Sequence, residues 1–137
     1  MVEQYEIQLP AYRRGFHLIT EEIYENLLKL PEKGVVNIFI QHTSAAITIN
    51  ENADYTVRMD FESFFTKLIP DATSWFAHNT EGSDDMPAHL KASIIGQSIS
   101  IPITKHKLNL GTWQGIYLCE FRNNGGRRKL VLTIYYH

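Results

Sequence analysis

The first third of the chain alternates hydrophobic and polar residues in a way that predicts two strands and a helix. The first strand has apolar residues at every second position before Pro10, namely Tyr5, Ile7 and Leu9. A second strand over Gly15–Ile19 is expected to pair with it. Thr20 is the predicted N-cap of a helix whose apolar stripe runs from Ile23 to Leu30 and stops at Pro31.

The middle of the chain predicts two further strands and a longer helix. Val35–Ile40 is a run of β-branched and aromatic residues, which is typical of an interior strand. Ala45–Ile49 is expected to form the next strand after a break. Apolar residues at helical spacing predict a helix over Ala53–Leu68.

The C-terminal half is mostly strand, after a short helix that Asp84 or Asp85 caps and that ends at Ile95 before Gly96. The strands are predicted over Ser98–Ile103, Gln114–Arg122 and Arg127–Tyr136. The intervening Asn123-Asn124-Gly125-Gly126 tolerates positive φ and predicts a hairpin between the last two strands. This order of elements predicts an α+β fold with a mixed or antiparallel sheet and a few helices. The length predicts a single domain over residues 1–137.

Composition and charge exclude several classes of function. Hydrophobic residues make up 44% of the chain, and the net charge of −2 argues against a general nucleic-acid binder. Arg127-Arg128-Lys129 is interpreted as a solvated strand end. Cys119 is the single cysteine, which permits no internal disulfide and is expected in the core. With no signal peptide and no apolar run of the ~20 residues that a membrane span needs, we expect a cytoplasmic protein that does not enter a membrane.

Three of the six histidines have acids, amides or hydroxyls nearby in sequence, and these are His42, His78 and His89. His42 follows an apolar strand, whose end can present a side chain rigidly. Asp85 and His89 are i,i+4 neighbours on the short helix, and Glu81 lies close to His78. The three imidazoles could form a metal triad, although their spacing matches no metal signature. The alternative is a surface helix with ordinary histidines.

Several other polar positions allow two interpretations. Asp54 and Asp60 are about 240° apart around their helix, so at most one of them faces any given pocket. Glu120 lies on an apolar strand face and must be paired, protonated or functional, and Arg122 on the same face is a candidate partner. Trp113, between two glycines, is interpreted as a core residue at a strand entry.

Three long motifs, in order along the chain, resemble the signatures of the YjbQ family. The first is His42-Thr43-Ser44-Ala45-Ala46 with Asn50–Asp54 and Asp60, the second is His78–Lys91, and the third is Leu108–Leu118 with Glu120. The likeness covers essentially the whole chain. His106 departs from it, because the family has a glycine in its Gly-Lys-Leu turn.

The resemblance implies a homotrimer with its site near subunit contacts, and a secondary thiamine-phosphate synthase activity. That activity joins a pyrimidine diphosphate to a thiazole phosphate and releases pyrophosphate, so a divalent cation such as Mg²⁺ or Zn²⁺ is expected on the leaving group. The physiological substrate is then another phosphorylated small molecule. Two alternatives stay open: a metal-dependent hydrolase with a three-histidine site, and a non-enzymatic metabolite-binding trimer.

The expected site combines these motifs. The catalytic candidates are His42, Glu81, Asp85 and His89. The substrate-contacting candidates are Thr43, Ser44, Asn52, Trp113, Gln114 and Glu120. The metal-ligand candidates are His42, His78, His89, Asp54, Asp60 and Asp84.

Overall fold

Two antiparallel sheets and three helices account for most of the computed structural model, which describes residues 1–137. The strands are β1 Val2–Gln8, β2 Gly15–Leu18, β3 Lys33–Ile40, β4 Ala45–Glu51, β5 Ser98–Thr104, β6 Lys107–Leu108, β7 Gln114–Glu120 and β8 Lys129–Tyr135. The helices are α1 Thr20–Asn26, α2 Tyr55–Leu68 and α3 Asp85–Ile95. One sheet has the strand order β1-β8-β3-β5-β6 and the other β2-β7-β4, which confirms the predicted α+β fold.

The two sheets face each other across the main core. Period-two alternation sends Val36, Ile38 and Ile40 of β3 inward, where they meet Ile116 and Leu118 of β7 in one cluster of 19 buried residues. The opposite face of β7 is buried as well, because α2 and α3 cover it. The molecule is therefore layered, with the three-stranded sheet between the larger sheet and two helices.

The second cluster holds this helical layer. Tyr117 and Cys119 of β7 pack with Phe65 of α2 and Ala88 of α3 among eight buried residues. Cys119 is fully buried, as expected, and burial raises the pKa of its thiol. Gly96 ends α3 in the left-handed region at φ 110°, which confirms the predicted stop signal.

Three predicted features of the N-terminal segment are wrong. β2 pairs with β7 and not with β1, because Phe16 packs against Phe61, Phe65 and Phe121 of the helical layer. Thr20 is the first residue of α1 rather than its N-cap, and its Oγ1 accepts a hydrogen bond from the Ile116 N–H at 2.9 Å. The helix ends at Asn26, earlier than its apolar stripe indicated.

The predicted C-terminal hairpin is also wrong, since β7 and β8 lie in different sheets. The segment between them crosses from one sheet to the other. Gly125 lies against the carboxylate of Glu120, and a Cβ at this glycine would fall 2.3 Å from Oε1. The glycine therefore provides space for a buried side chain rather than a turn between paired strands.

The conformation of residue 106 explains why the resemblance leads us to expect a glycine there. His106 adopts φ 65° in the turn between β5 and β6, a left-handed conformation that glycine adopts without strain. Its Nδ1 lies 2.9 Å from the Leu30 carbonyl oxygen, a contact that holds the histidine in this turn.

Candidate functional site

The start of α3 and the loop before it bring His78, Asp85 and His89 together. Helical spacing places Asp85 and His89 on one face. The Nε2 atoms of His78 and His89 lie 2.6 Å and 3.1 Å from the same oxygen, Oδ2 of Asp85. The ligand atoms of the three residues lie within 4.8 Å of one another, so they can share a single cation.

The tautomer of His89 follows from its other ring nitrogen. Nδ1 lies 2.9 Å from the backbone carbonyl oxygen of Thr43, and a carbonyl oxygen only accepts, so Nδ1 carries the hydrogen. In the neutral ring, Nε2 is then a bare acceptor that faces a carboxylate oxygen. This contact is favourable only with a proton or a metal ion between the two atoms.

Arg122 holds the carboxylates at the start of α3. Its Nη1 donates to Oδ1 of Asp85 at 2.5 Å and its Nε to Oδ2 of Asp84 at 3.0 Å, while Nη2 donates to the Glu81 carbonyl oxygen at 2.9 Å. Arg122 therefore takes one oxygen of Asp85 and leaves the other to the histidines. The expectation that the side chains of Arg122 and Glu120 form an ion pair is wrong, because the Arg122 guanidinium binds Asp84 and Asp85 instead.

These contacts keep both carboxylates ionised. Burial alone would raise the pKa of Asp85, but the hydrogen bond from His78 and the charges of His89 and Arg122 lower it below its usual value. Burial opposes ionisation of Asp84 too, and the hydrogen bonds from the Asn123 N–H and Arg122 again lower the pKa. With its side chain 2% exposed and bound by Arg122, Asp85 is a firmly held anion.

A cavity of about 630 Å³ borders this group, and His89 belongs to both. Its lining residues come from the end of β3, the following turn and α3: Phe39, Ile40, Gln41, His42, Thr43, Ala45, His89, Ala92, Ser93 and Gln97. None of them is a lysine, arginine, aspartate or glutamate. Apart from its two histidines, the cavity offers uncharged polar groups at Gln41, Ser93 and Gln97.

His42 lines the cavity but does not join the group of His78, Asp85 and His89 within one chain. Its Nε2 accepts from the Lys129 N–H at 2.8 Å, and its Nδ1 lies 3.3 Å from Nη1 of Arg128. Burial lowers the pKa of His42, and the charge of Arg128 lowers it further. In the neutral ring Nε2 accepts, so Nδ1 carries the hydrogen, and the Arg128 guanidinium lies beside His42 without donating to it.

Ser44 and Glu120 are buried beside His42 rather than open to a ligand. Arg128 donates from Nε and Nη2 to the two carboxylate oxygens of Glu120 at 2.8 Å and 2.5 Å, and from Nη2 to Oγ of Ser44 at 3.0 Å. The interpretation of Arg128 as part of a solvated strand end is wrong, since this residue is only 4% exposed.

The remaining substrate-contacting candidates lie at the other end of the three-stranded sheet. Glu120 pairs with Ala45 in the β4–β7 ladder, whereas Gln114 pairs with Glu51, six residues or about 20 Å further along. Asn52 donates from Nδ2 to the Gln114 carbonyl oxygen there, at 3.2 Å. Trp113 is 65% exposed in this region, so its interpretation as a core residue is wrong.

The other acidic candidates are separated from the histidines or already paired. Asp54 caps α2 by accepting from the Thr56 N–H at 2.9 Å, and Asp60 borders an apolar groove on the same helix. Asp84 is engaged by Arg122. Glu81 is the closest further acid, with Oε2 at 3.8 Å from Nε2 of His78.

Sequence reasoning did not identify Arg122 and Arg128 as parts of this region. Arg122 is 37 and 38 positions from its partners Asp85 and Asp84. Arg128 is 8 positions from Glu120 but 86 from His42. Neighbouring carboxylates in the interior need a cation beside them. The sequence therefore indicated that an arginine lies nearby, but it did not indicate which one.

No helix of the structure is both long enough and apolar enough to cross a lipid bilayer.

Comparison with known proteins gives a consistent result over nearly the whole chain. The family model described as UPF0047 protein YjbQ-like matches residues 5–137. A protein from Salmonella typhimurium called UPF0047 protein YjbQ is 48% identical over 133 residues, which is 96% of each chain.

Solved structures share the fold. A hypothetical protein from Aeropyrum pernix superposes with a TM-score of 0.85 at 28% identity and covers 98% of this chain and 99% of its own. A Clostridium acetobutylicum protein superposes with a TM-score of 0.80 at 36% identity and covers 96% of this chain and 99% of its own.

Proposed function

The chain belongs to the YjbQ family of UPF0047 proteins, and from this premise and the geometry above we propose that it is a divalent-metal-dependent enzyme acting on a phosphorylated small molecule. His78, Asp85 and His89 are the proposed ligands, and the adjoining cavity is the proposed substrate site.

One observation carries the proposal: Nε2 of His89 faces Oδ2 of Asp85 at 3.1 Å, a contact that needs a proton or a metal ion between the two atoms, while Nδ1 is fixed by the Thr43 carbonyl oxygen. A histidine whose second nitrogen donates to a backbone carbonyl is the usual arrangement of a metal ligand. Arg122 fixes the carboxylate ligand in the same way. Both ligands are thus oriented by their surroundings before any ion binds.

The donor set indicates the type of metal. Two imidazoles and one carboxylate fit zinc and related transition metals, whereas magnesium prefers oxygen donors and retains several waters. The side chains of His78 and His89 are 40% and 30% exposed, so one side of the group is open to a substrate or to water. When bound, such a metal neutralises negative charge on a phosphate or leaving-group oxygen.

The side chains that line the cavity indicate how a phosphorylated substrate would be oriented. Because its lining has no lysine or arginine, a phosphate inside it and away from His89 would have no countercharge. Gln41, Ser93 and Gln97 can instead hydrogen-bond an uncharged polar group. We therefore place the phosphate end at the histidines and the neutral end in the cavity.

The reaction that we propose to test first is thiamine-phosphate synthesis as a secondary activity, since the motif resemblance implies it. The physiological substrate is then another phosphorylated metabolite. The wider proposal is a cytoplasmic homotrimer, in which a neighbouring copy brings the Trp113 end of its three-stranded sheet to the cavity. In one chain, Gln114, the neighbour of Trp113, lies six strand residues or about 20 Å from Glu120.

A metal-dependent hydrolase is the second candidate, favoured by the open side of the two imidazoles. Its ligands would be His78, Asp85 and His89, since His42 lies outside this group within one chain. Release of inorganic phosphate from phosphate esters, without formation of thiamine phosphate, would support this candidate over the first.

The test combines an activity assay with metal removal. Wild-type protein, His89→Gln and the control His17→Gln are each assayed for thiamine phosphate and for free phosphate, before and after chelation. His17 is a suitable control because its Nε2 contacts only the Arg13 carbonyl oxygen, away from the cavity. We expect activity to require added metal and to be lost in His89→Gln alone. Chelator-resistant activity, or equal activity in all three proteins, would contradict the proposal.

A further inference from the structure

We propose that Arg128, held by Glu120, is a positioning residue that fixes the turn His42–Ser44 and thereby orients His89. This inference rests on the proposed function for its catalytic meaning. The contacts that carry it are independent of any metal, and they form a continuous chain from a buried ion pair to the ring of His89.

The first link is the ion pair itself. Glu120 is fully buried and Arg128 is 4% exposed, and two hydrogen bonds join the guanidinium to both carboxylate oxygens. The Arg122 N–H also donates to Oε2 of Glu120, at 3.2 Å. Gly125 packs directly against this carboxylate. Glu120 therefore has no free oxygen for a ligand, and its partner has a single orientation.

The second link joins Arg128 to the turn between β3 and β4. Nη2 donates to the carbonyl oxygen of Ser44 at 3.3 Å and to its Oγ at 3.0 Å. Nη1 lies 3.3 Å from Nδ1 of His42, and the neighbouring Lys129 N–H donates to Nε2 of the same ring. The residues on both sides of Thr43 are thus held by Arg128 and by Lys129, the first residue of β8.

The third link is the Thr43 carbonyl oxygen, which faces Nδ1 of His89 at 2.9 Å. A carbonyl in this position selects the tautomer and the direction of the Nε2 lone pair. If the turn moves, His89 loses the acceptor that directs Nε2 towards Asp85. The ion pair therefore acts on His89 through three successive contacts and without touching it.

A purely structural role for the ion pair predicts a different outcome. In that case, its removal lowers the stability of the protein but leaves the tautomer and the metal affinity of His89 unchanged. Arg14 supplies the matched control. It pairs with Glu62 and Asp71 with its side chain 15% exposed, and it contacts neither the turn nor His89.

The experiment compares wild-type protein with Arg128→Met, Arg128→Lys, Arg14→Met and the double variant Glu120→Gln/Arg128→Met. The double variant leaves no unpaired buried charge, so it is expected to fold where a single variant does not. Two quantities are measured: the His89 tautomer by long-range ¹H–¹⁵N NMR of metal-free protein, and Co²⁺ affinity with the visible absorption spectrum.

We expect a single Nδ1–H tautomer of His89 in wild type and in Arg14→Met, and a mixture in Arg128→Met and in the double variant. Co²⁺ affinity should fall about 10- to 100-fold in the same two variants, with an altered spectrum, and Arg128→Lys should recover part of it. A folded double variant with the wild-type tautomer and wild-type affinity would overturn the inference. If wild type binds no Co²⁺ while the tautomer still responds to Arg128, the proposed metal centre fails and the positioning role stands.

Discussion

Asp85 and Glu120 are both buried carboxylates held by an arginine, and they differ in what the arginine leaves free. Arg122 binds Oδ1 of Asp85 and leaves Oδ2 to two imidazoles. Arg128 binds both oxygens of Glu120, and no cavity-lining role remains for that side chain. One carboxylate is thus available as a ligand and the other is not.

The comparison shows that burial and charge alone do not identify a reactive acid. Either carboxylate would be a functional candidate from its burial, because an ionised group in the interior needs compensation. The two carboxylates differ in how many oxygen atoms remain free to accept once the arginine has bound. By this criterion Asp85 belongs to the site and Glu120 supports it from outside.

Replacement of Asp85 should give the largest effect. Asp85→Asn keeps the volume but removes the charge shared by His78 and His89. We expect loss of stoichiometric Zn²⁺ binding, with an affinity at least about 100-fold weaker, as measured by titration against a chromophoric chelator. Unchanged stoichiometry and affinity in folded Asp85→Asn would remove the distinction between the two carboxylates.

Replacement of Glu120 should affect mainly stability. Glu120→Gln leaves the Arg128 guanidinium without its buried counterion, which costs about 3–5 kcal/mol in the free energy of unfolding. Urea denaturation measures this difference. We expect the folded variant still to bind one metal ion per chain. A loss of metal stoichiometry as complete as in Asp85→Asn would mean that Glu120 is itself a ligand.

Gly125→Ala tests how rigidly the Glu120 carboxylate is held. The added methyl group would lie 2.3 Å from Oε1, so the ion pair must shift, at a cost of about 1–3 kcal/mol. Gly111→Ala is the matched control, because its methyl group meets only the end of the Gln114 side chain, at 3.2 Å. Equal denaturation midpoints for the two variants would show that Glu120 has room to move.

The free energy of unfolding should change with pH in two small steps, one from each of the two regions. The pKa of His42, beside Arg128, is lowered from 6.5, so the unfolded chain takes up a proton first and stability starts to fall below about pH 6.5. The pKa of Asp85 is lowered from 3.8, so its contribution is present above that value and is lost as the pH falls through the folded pKa.

Two variants test which side chain produces each step. Thermal unfolding of metal-free protein between pH 3 and pH 8 should lose the upper step in His42→Gln. The lower step should become smaller in Asp85→Asn but should not disappear, because the pKa of Asp84 is lowered as well. An upper step that persists in His42→Gln would show that another group produces it.

The fold was predictable where the signals are local. The α3 helix has acids at its start and a glycine at its end, and both were recognisable from the sequence. The hairpin between β7 and β8 was not predictable, because turn residues report a local tolerance for positive φ and not the sheet to which each strand belongs. The glycine at position 125 is required by a side chain five residues earlier, which no turn rule includes.

The candidate site, too, was predictable where its residues are close along the chain and not where they are distant. Asp85 and His89 could be placed together from their i,i+4 spacing, and His78 from its short distance along the chain. The place of His42 depends on Arg128, 86 positions away, and the separation of Asn52 and Trp113 from the histidines depends on strand register. Those contacts are set by the packing of the two sheets, about which local patterns carry no information.

Anomalous X-ray scattering at the zinc edge, from crystals grown with zinc, would show whether these three side chains bind one ion. We expect one peak per chain, about 2.0–2.2 Å from Nε2 of His78, Nε2 of His89 and a carboxylate oxygen of Asp85. The absence of a peak there, with the imidazoles ordered and unprotonated, would contradict this expectation.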